Sequence, residues 1–429
     1  MIRHLPLPIS LILASLLLQL PAMAAGATAI ESISVQGNPT LVFDYRRDKQ
    51  ERWHVADAPP AAWREADGTV NLLTPHPETY RMRGPSLEEL SVDPHKVYSS
   101  KEQGEEVAEE QFNYDHWLTA PYTLDGKQLY ALSHTEWYAC MLANDCGDRN
   151  SRLGGWTTTN NLFRSDDGGR SWATVGKGRQ HLVFDGAARW SGSKALTDRV
   201  YRRGFNVSGM MVPSRPIREG DYFYTAGAEI HRDLTKVEAK SGVAPIDMQG
   251  VLLLRTRDLS RSDGWQVWAG ESSFKPARVE NAQPFLPRYQ GRPLRASRAL
   301  LLHDTHAQLY IMFFTVWSND PGYYYVTTPS LAAPSWSEAR LVIGSNTLSM
   351  DPAYTPAYTP ADAACNRGII TTANPAVIDS DSPGLNFEFT NGDPWLFYVV
   401  NHARCGKPRE NMNRDIYRVR LRIDYRPQP

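Results

Sequence analysis

The chain predicts an all-β fold closed as a five-bladed β-propeller. Three observations carry that expectation. A unit of strand, strand, tight turn and Trp recurs along the chain. No long amphipathic helix interrupts the recurrence. The length, 429 residues, exceeds what one ordinary core holds, leaving two domains or one large closed β architecture.

Taken in order, Arg3 and His4 precede the apolar run Ile9–Leu18, and Ala22-Met23-Ala24 follows. This is the layout of a secretory signal peptide over residues 1–24. The run is short for a membrane span; an uncleaved anchor is the competing reading. No Cys lies near the cleavage site, which argues against a lipid anchor. Residues 25–429 are then read as a single propeller domain, secreted or periplasmic. Tandem β-sandwiches are the alternative, but no Pro/Gly/Ser-rich linker separates two halves.

The first unit is read from the strands Pro39–Tyr45 and Gly68–Leu73, with Ala62-Trp63-Arg64 between them. Ser86–Leu90 and the acidic run 101–110 read as short helical turns. Gln128–Tyr138 begins the next unit, and Asn161–Trp172 supplies a strand, a tight turn and a Trp. Asp221–Glu229 and Gly250–Leu259 follow, closed by Gly264-Trp265. Gln308–Trp317 and Gly322–Thr328 lead to Pro334-Ser335-Trp336. Pro394–Val400 and Arg414–Ile423 form the last copy. Radial repetition of such sheets uses a whole chain and leaves only short edges.

Basic and acidic residues balance at 46 against 47, with no basic arm or patch, so nucleic acid is not an expected partner. No later stretch is long and apolar enough to span a bilayer, and a monomer is expected. Cys140, Cys146, Cys365 and Cys405 read as disulfides in an exported chain. Cys140–Cys146 would close a small loop and Cys365–Cys405 would tie two late segments, though four cysteines permit three pairings. A zinc site is the rival, without a C-x-x-C to support it.

Ser165-Asp166-Asp167-Gly168-Gly169-Arg170-Ser171-Trp172 resembles the Asp-box of sialidase-like β-propellers. The turn chemistry fits: Asp167 accepts backbone N–H groups, Gly169 takes positive φ cheaply, and Trp172 packs beneath the hairpin. The resemblance implies a structural role, away from the ligand face. The wider pattern resembles five-bladed propellers of the glycoside hydrolase 43 type. It is carried by Tyr114–Tyr122, Tyr130–Trp137, Arg255–Leu259 with Trp265–Trp268, and Asn374–Glu388. That resemblance implies an Asp base and a Glu acid on different blades. The positions of that pair, and a sialidase arginine triad, are not identifiable in the sequence.

In a propeller the ligand sits on the axis, so polar residues within apolar strands are the candidates. His134 and Glu136 share one face of a strand, two residues apart, and suit proton transfer. Asp115, with His116 beside it, stands at a strand entrance as a base or positioning carboxylate. Glu229 ends a strand and suits the acid that protonates a leaving oxygen. Each has a bland rival: a polar pair on a wet wall, a turn cap, an exposed strand end. Trp117, Trp137 and Trp156 suit stacking on sugar rings, with core packing as the rival. Arg202 and Arg203 suit an acidic sugar, with a solvated surface as the rival. Asp379, Asp381 and Glu388 read as a turn, with a calcium site as the alternative; no metal or other cofactor is expected. No phosphate loop, H-E-x-x-H or G-x-S-x-G motif occurs.

The expectation is therefore a secreted carbohydrate-active propeller. The catalytic set would be Asp115, His134, Glu136 and Glu229. The sugar-binding set would be His116, Trp137, Trp156, Arg202 and Arg203. A non-catalytic glycan-binding module is the first alternative, and a structural propeller that docks proteins through an apolar patch is the second.

Overall fold

The computed structural model describes residues 28–100, 115–138, 156–185, 206–233, 247–317, 320–350, 372–401 and 413–427. These form five mainly antiparallel sheets of four to six strands, beside one two-stranded ribbon, and the sheets are the blades of a β-propeller. Each blade begins with its innermost strand: Ala61–Arg64, Asp115–Thr123, Asn206–Met211, Ala296–Asp304 and Thr372–Ile378.

Both faces of each blade are covered by neighbours, so strands such as Val251–Leu254 and Leu396–Val400 are apolar throughout rather than alternating. Five apolar seams join the blades in a ring. Trp63, Leu118 and Phe163 join the first to the second. Leu132, Met210 and Leu252 join the second to the third. Ile217, Leu301 and Phe314 continue to the fourth, and Leu302, Val377 and Tyr398 to the fifth. Leu72, Phe397 and Phe43 close the circle. Each fully buried side chain of this size contributes roughly 1.5–3 kcal/mol.

Closure departs from the sequence expectation. The strand Thr28–Phe43 pairs antiparallel with Arg414–Pro427, from Thr28 opposite Pro427 to Phe43 opposite Ile416. The start of the chain is thus the outer strand of the last blade, and residues 39–43 do not belong to the first. The physical reason is the edge: without this strand, Arg414–Pro427 would expose a long row of unpaired backbone groups. Ser86–Leu90 is a bend between the strands Glu78–Gly84 and Ser91–Val92, not a helical turn. The run 101–110 lies outside the described residues.

A recurrent kink marks the inner strands. Ala120, Val212 and Asn374 have φ of 53°, 40° and 52°, and each precedes a proline: Pro121, Pro213 and Pro375. The inner edge of a blade is unpaired, which is where a strand tolerates proline. The pairing register shifts at two of these sites, between Thr119 and Tyr122 and between Ala373 and Ala376. A β-branched residue such as Val212 at positive φ is a genuine outlier and costs on the order of 1–3 kcal/mol.

The innermost strands enclose one small cavity among the described residues. A cavity of about 40 Å³ lies among Ala61, Thr119, Ala120, Val212, Leu300 and Val377. That is room for a few waters at roughly 10–15 Å³ each, and none for a sugar.

Candidate functional site

One mouth gathers titratable and aromatic side chains from several blades. It lies at the end of the second blade where Asp115 stands opposite Glu136 and Trp117 opposite His134. Residues directly opposite across an antiparallel pair share a face, with Cβ atoms about 4.5–5.5 Å apart. Asp115, Trp117, His134 and Glu136 therefore form one patch.

His134 Nε2 lies 3.2 Å from Glu136 Oε1. The backbone N–H of Val212 donates to His134 Nδ1 at 3.5 Å, so Nε2 carries the ring proton and donates it to Glu136. Val212 is one of the strained residues, and its kink aims that N–H. The imidazole also rests against the Trp117 ring, with centroids 5.4 Å apart.

Three further blades reach the same mouth. Asp57, in the loop before Ala61–Arg64, accepts from Trp117 Nε1 at 3.3 Å and pairs with Arg414 of the last blade. Burial pushes the Asp57 carboxyl up, but Arg414, with His76 and Arg298, outweighs burial and holds it below the usual range. Arg298, on the innermost strand of the fourth blade, is 8% exposed. Its Nε donates to Asn374 Oδ1 at 3.3 Å, and its guanidinium lies 5.2 Å from the Trp317 ring centre. Burial lowers Arg298 to about 10, while Asp57 and Glu136 act against the shift. Among the described residues no carboxylate lies within 4 Å of it. A nearly buried cation with two carboxylates in electrostatic reach, yet no ion pair, is an unusual arrangement. Arg298 Nη1 lies 3.7 Å from Met211 Sδ, and Met211 belongs with Trp117, Val212 and Ile230 to one apolar cluster, with Trp317 partly buried beside it. Strain at Val212 and Asn374 thus holds two of the charged or titratable side chains of the site, as expected where backbone strain is retained for function.

The other sequence candidates lie elsewhere. Glu229 pairs across strands with Met210, so it shares the Met210 face toward the seam of the second and third blades. Its neighbour Ile230 faces the mouth. Burial alone pushes Glu229 up to about 7. His116 is turned away from the mouth and buried between Tyr98 and Phe163. It makes a 2.7 Å contact with Thr135 Oγ1, and burial, helped by His181, lowers it to about 3. Trp137 and Trp156 lie on paired strands at the mouth end, with side chains outside the described part. Arg202, Arg203 and the four cysteines also lie outside the described residues. Asp379 spends its oxygens on Asp381 N, Thr390 Oγ1 and Asn391 N, and Glu388 accepts from Asn386 N. These carboxylates fasten a turn, and Arg64 bonds that turn's carbonyls.

Sequence reasoning missed Asp57, Arg298, Asn374 and Arg414. One signal was present: prolines inside or beside the innermost strands, at Pro60, Pro121, Pro213 and Pro375.

No family model matches the chain, and no curated protein matches it by sequence. The chain is similar over most of its length to several solved structures. A glycosyl hydrolase from Bacteroides ovatus is 8% identical over 91% of this chain and 94% of its own, with a TM-score of 0.45. The catalytic domain of a GH62 α-L-arabinofuranosidase from Coprinopsis cinerea is 10% identical over 90% and 97%, with a TM-score of 0.45. An α-L-arabinanase mutant from Cellvibrio cellulosa is 10% identical over 85% and 91%, with a TM-score of 0.43. At these identities the likeness is one of fold.

Proposed function

We propose that the chain is a glycoside hydrolase acting on an exported or extracellular polysaccharide at the Asp57–Glu136 mouth. The observation that carries this reading is the placement of two carboxylates from separate blades around the nearly buried Arg298, beneath aromatic rings. Asp57, held ionised, serves as base or as the carboxylate facing the developing positive charge. The His134–Glu136 pair passes a proton to the leaving oxygen. Arg298 binds ring hydroxyls or a sugar carboxylate, and Trp117 and Trp317 border the sugar plane. Asp115 flanks Glu136 as a positioning carboxylate, and Glu229 serves as a proton-holding group at the seam.

A second reading, a glycan-binding module without turnover, is favoured by one feature. Both Asp57 oxygens are already engaged, by Trp117 and Arg414, and a carboxylate so paired is a weak base. Reducing-sugar release from a polysaccharide panel separates the two. The hydrolase reading expects release by wild type and its collapse in both Asp57→Asn and Glu136→Gln. Release that survives both substitutions would sink the site. Glycan binding with no release on any substrate would establish the binding module instead.

A further inference from the structure

A second concave site lies at the opposite end of the blades. In the second blade Glu136 pairs with Thr158 at the mouth end, while Leu129 pairs with Ser165 at the far end. Seven residues of strand separate the two ends, roughly 23 Å at 3.3 Å per residue. Beyond Ser165 the turn Asp166–Trp172 comes against the outer strands of the first blade. A groove of about 750 Å³ opens there, lined by Arg81, Arg83, Asp93, His95, Lys96 and Arg170 among others.

Its cations and carboxylates match in number but are unevenly shared. Glu65, beneath the groove and 6% exposed, lies 2.8 Å from Arg83, 3.3 Å from Arg170 and 3.9 Å from Arg81. Asp93 takes Arg81 at 2.9 Å, and its other oxygen lies 2.9 Å from the exposed His95 ring. Lys96 is matched separately, by Glu78 at 2.7 Å and Glu51 at 3.2 Å. Three guanidinium groups thus face two carboxylates. Arg83 Nε is buried with no partner among the described residues, an unspent donor of the kind that costs free energy when unmatched. The Arg170 side chain is 54% exposed; it spends one Nη on the Asp167 carbonyl at 2.7 Å and the other on Glu65 at 3.3 Å, and keeps further N–H donors for a ligand. Guanidinium groups converging on one concavity suit the oxygens of a sulfate, phosphate or carboxylate, which they bind in a fork geometry.

We infer that this groove, between the first blade and the Asp166–Trp172 turn, is an oxyanion-binding site built on Arg83 and Arg170. It is independent of the axial mouth and of any reaction there. The same oxyanion chemistry occurs in a free ion and in a sulfated or uronic sugar.

The test is calorimetric titration and thermal melting of the full chain with sodium sulfate, sodium phosphate, glucuronate and a sulfated disaccharide, against sodium chloride at equal ionic strength. The expected result is saturable binding that raises the Tm above the chloride control. Arg170→Gln should weaken it about tenfold, the loss of one charge-assisted contact. Arg83→Gln should do the same where it folds. Arg164→Gln, at an exposed arginine of the same end paired with Asp166, should leave binding intact. Tighter binding of the sulfated disaccharide or glucuronate assigns the site to an acidic glycan; tighter binding of inorganic phosphate or sulfate assigns it to the free ion. Anions indistinguishable from chloride, or an Arg170→Gln variant that binds as wild type does, would overturn the inference.

Discussion

Two carboxyls at opposite ends of the blades make the most instructive comparison. Asp167 lies in the turn between the second blade's strands; Glu229 lies near the mouth end of the third. Both lose water on folding, and both are pushed up by that loss. Asp167 recovers it. Its oxygens accept from Ser165 Oγ at 2.7 Å, Arg170 N at 2.9 Å, Ser171 N at 3.0 Å and Ser171 Oγ at 2.6 Å. These donors outweigh burial and leave its carboxyl below the ordinary range. Glu229 has burial as its only cause of shift and sits near 7. The turn carboxyl is therefore matched by donors, whereas the Glu229 carboxyl is buried without that compensation. The first carboxyl stabilises its turn, and the second is left poised to titrate near neutrality.

The largest expected effect is on activity. Asp57→Asn and Glu136→Gln should each lower glycoside turnover per folded molecule by about 10²–10⁴-fold, and Asp57→Asn should also lose stability in urea because it breaks the Arg414 pair. Asp167→Ala should act on stability alone. Losing four accepted bonds costs about 2–4 kcal/mol in urea unfolding, with turnover per folded molecule unchanged at the far mouth. Equal effects of the two classes on activity would erase the contrast between the ends.

Glu229→Gln sharpens the contrast through pH. The folded carboxyl titrates near 7 rather than near its ordinary 4.5. Its stabilising contribution is therefore complete below about 4.5 and is lost as pH rises through 7. By pH 8 the wild type carries a penalty on the order of 3 kcal/mol that the glutamine variant escapes. Melting curves at pH 5 and pH 8 should show near-equal stability at the first and a more stable variant at the second. A pH-independent difference would mean that Glu229 does not titrate in that range.

Two histidines run the other way. His54 is held to about 4, with burial the main cause against Glu51 and Asp48, and His116 to about 3. Their neutral forms stabilise the fold fully above the unfolded value near 6.5. That contribution falls as pH drops from there toward 3–4, by roughly 2 kcal/mol each at pH 5. Wild type should lose Tm between pH 7 and pH 5, and His54→Gln should lose less across the same interval.

Much of the fold was legible because its physics is local and repeated. Continuous apolar strands, tight turns and buried Trp residues recur with the blades. The turn at Ser165–Trp172 has the hydrogen bonds its composition predicts, with Gly168 and Gly169 at φ of 74° and 85°. A side chain at Gly169 would meet the Trp63 ring at 2.4 Å, so the glycine also sets the approach of two blades. The closing strand Thr28–Phe43 was not legible, because its partner lies at the far end of the chain and pairing over that separation leaves no local pattern. The candidate site divides the same way. His134 and Glu136 were visible as polar interruptions of an apolar strand. Asp57, Arg298 and Arg414 gain their meaning from meeting across blades. His116 looked like a site residue from its neighbour Asp115, yet alternation along the strand turns it into the core.

The central claim, that the Asp57–Glu136 mouth is the working end, is tested most directly by hydrogen exchange with and without a neutral oligosaccharide from the responsive polysaccharide. The account predicts new protection in residues 53–58, 115–118, 134–136 and 211–214, and none in 165–172. Protection confined to 165–172, with the mouth unchanged, would contradict it.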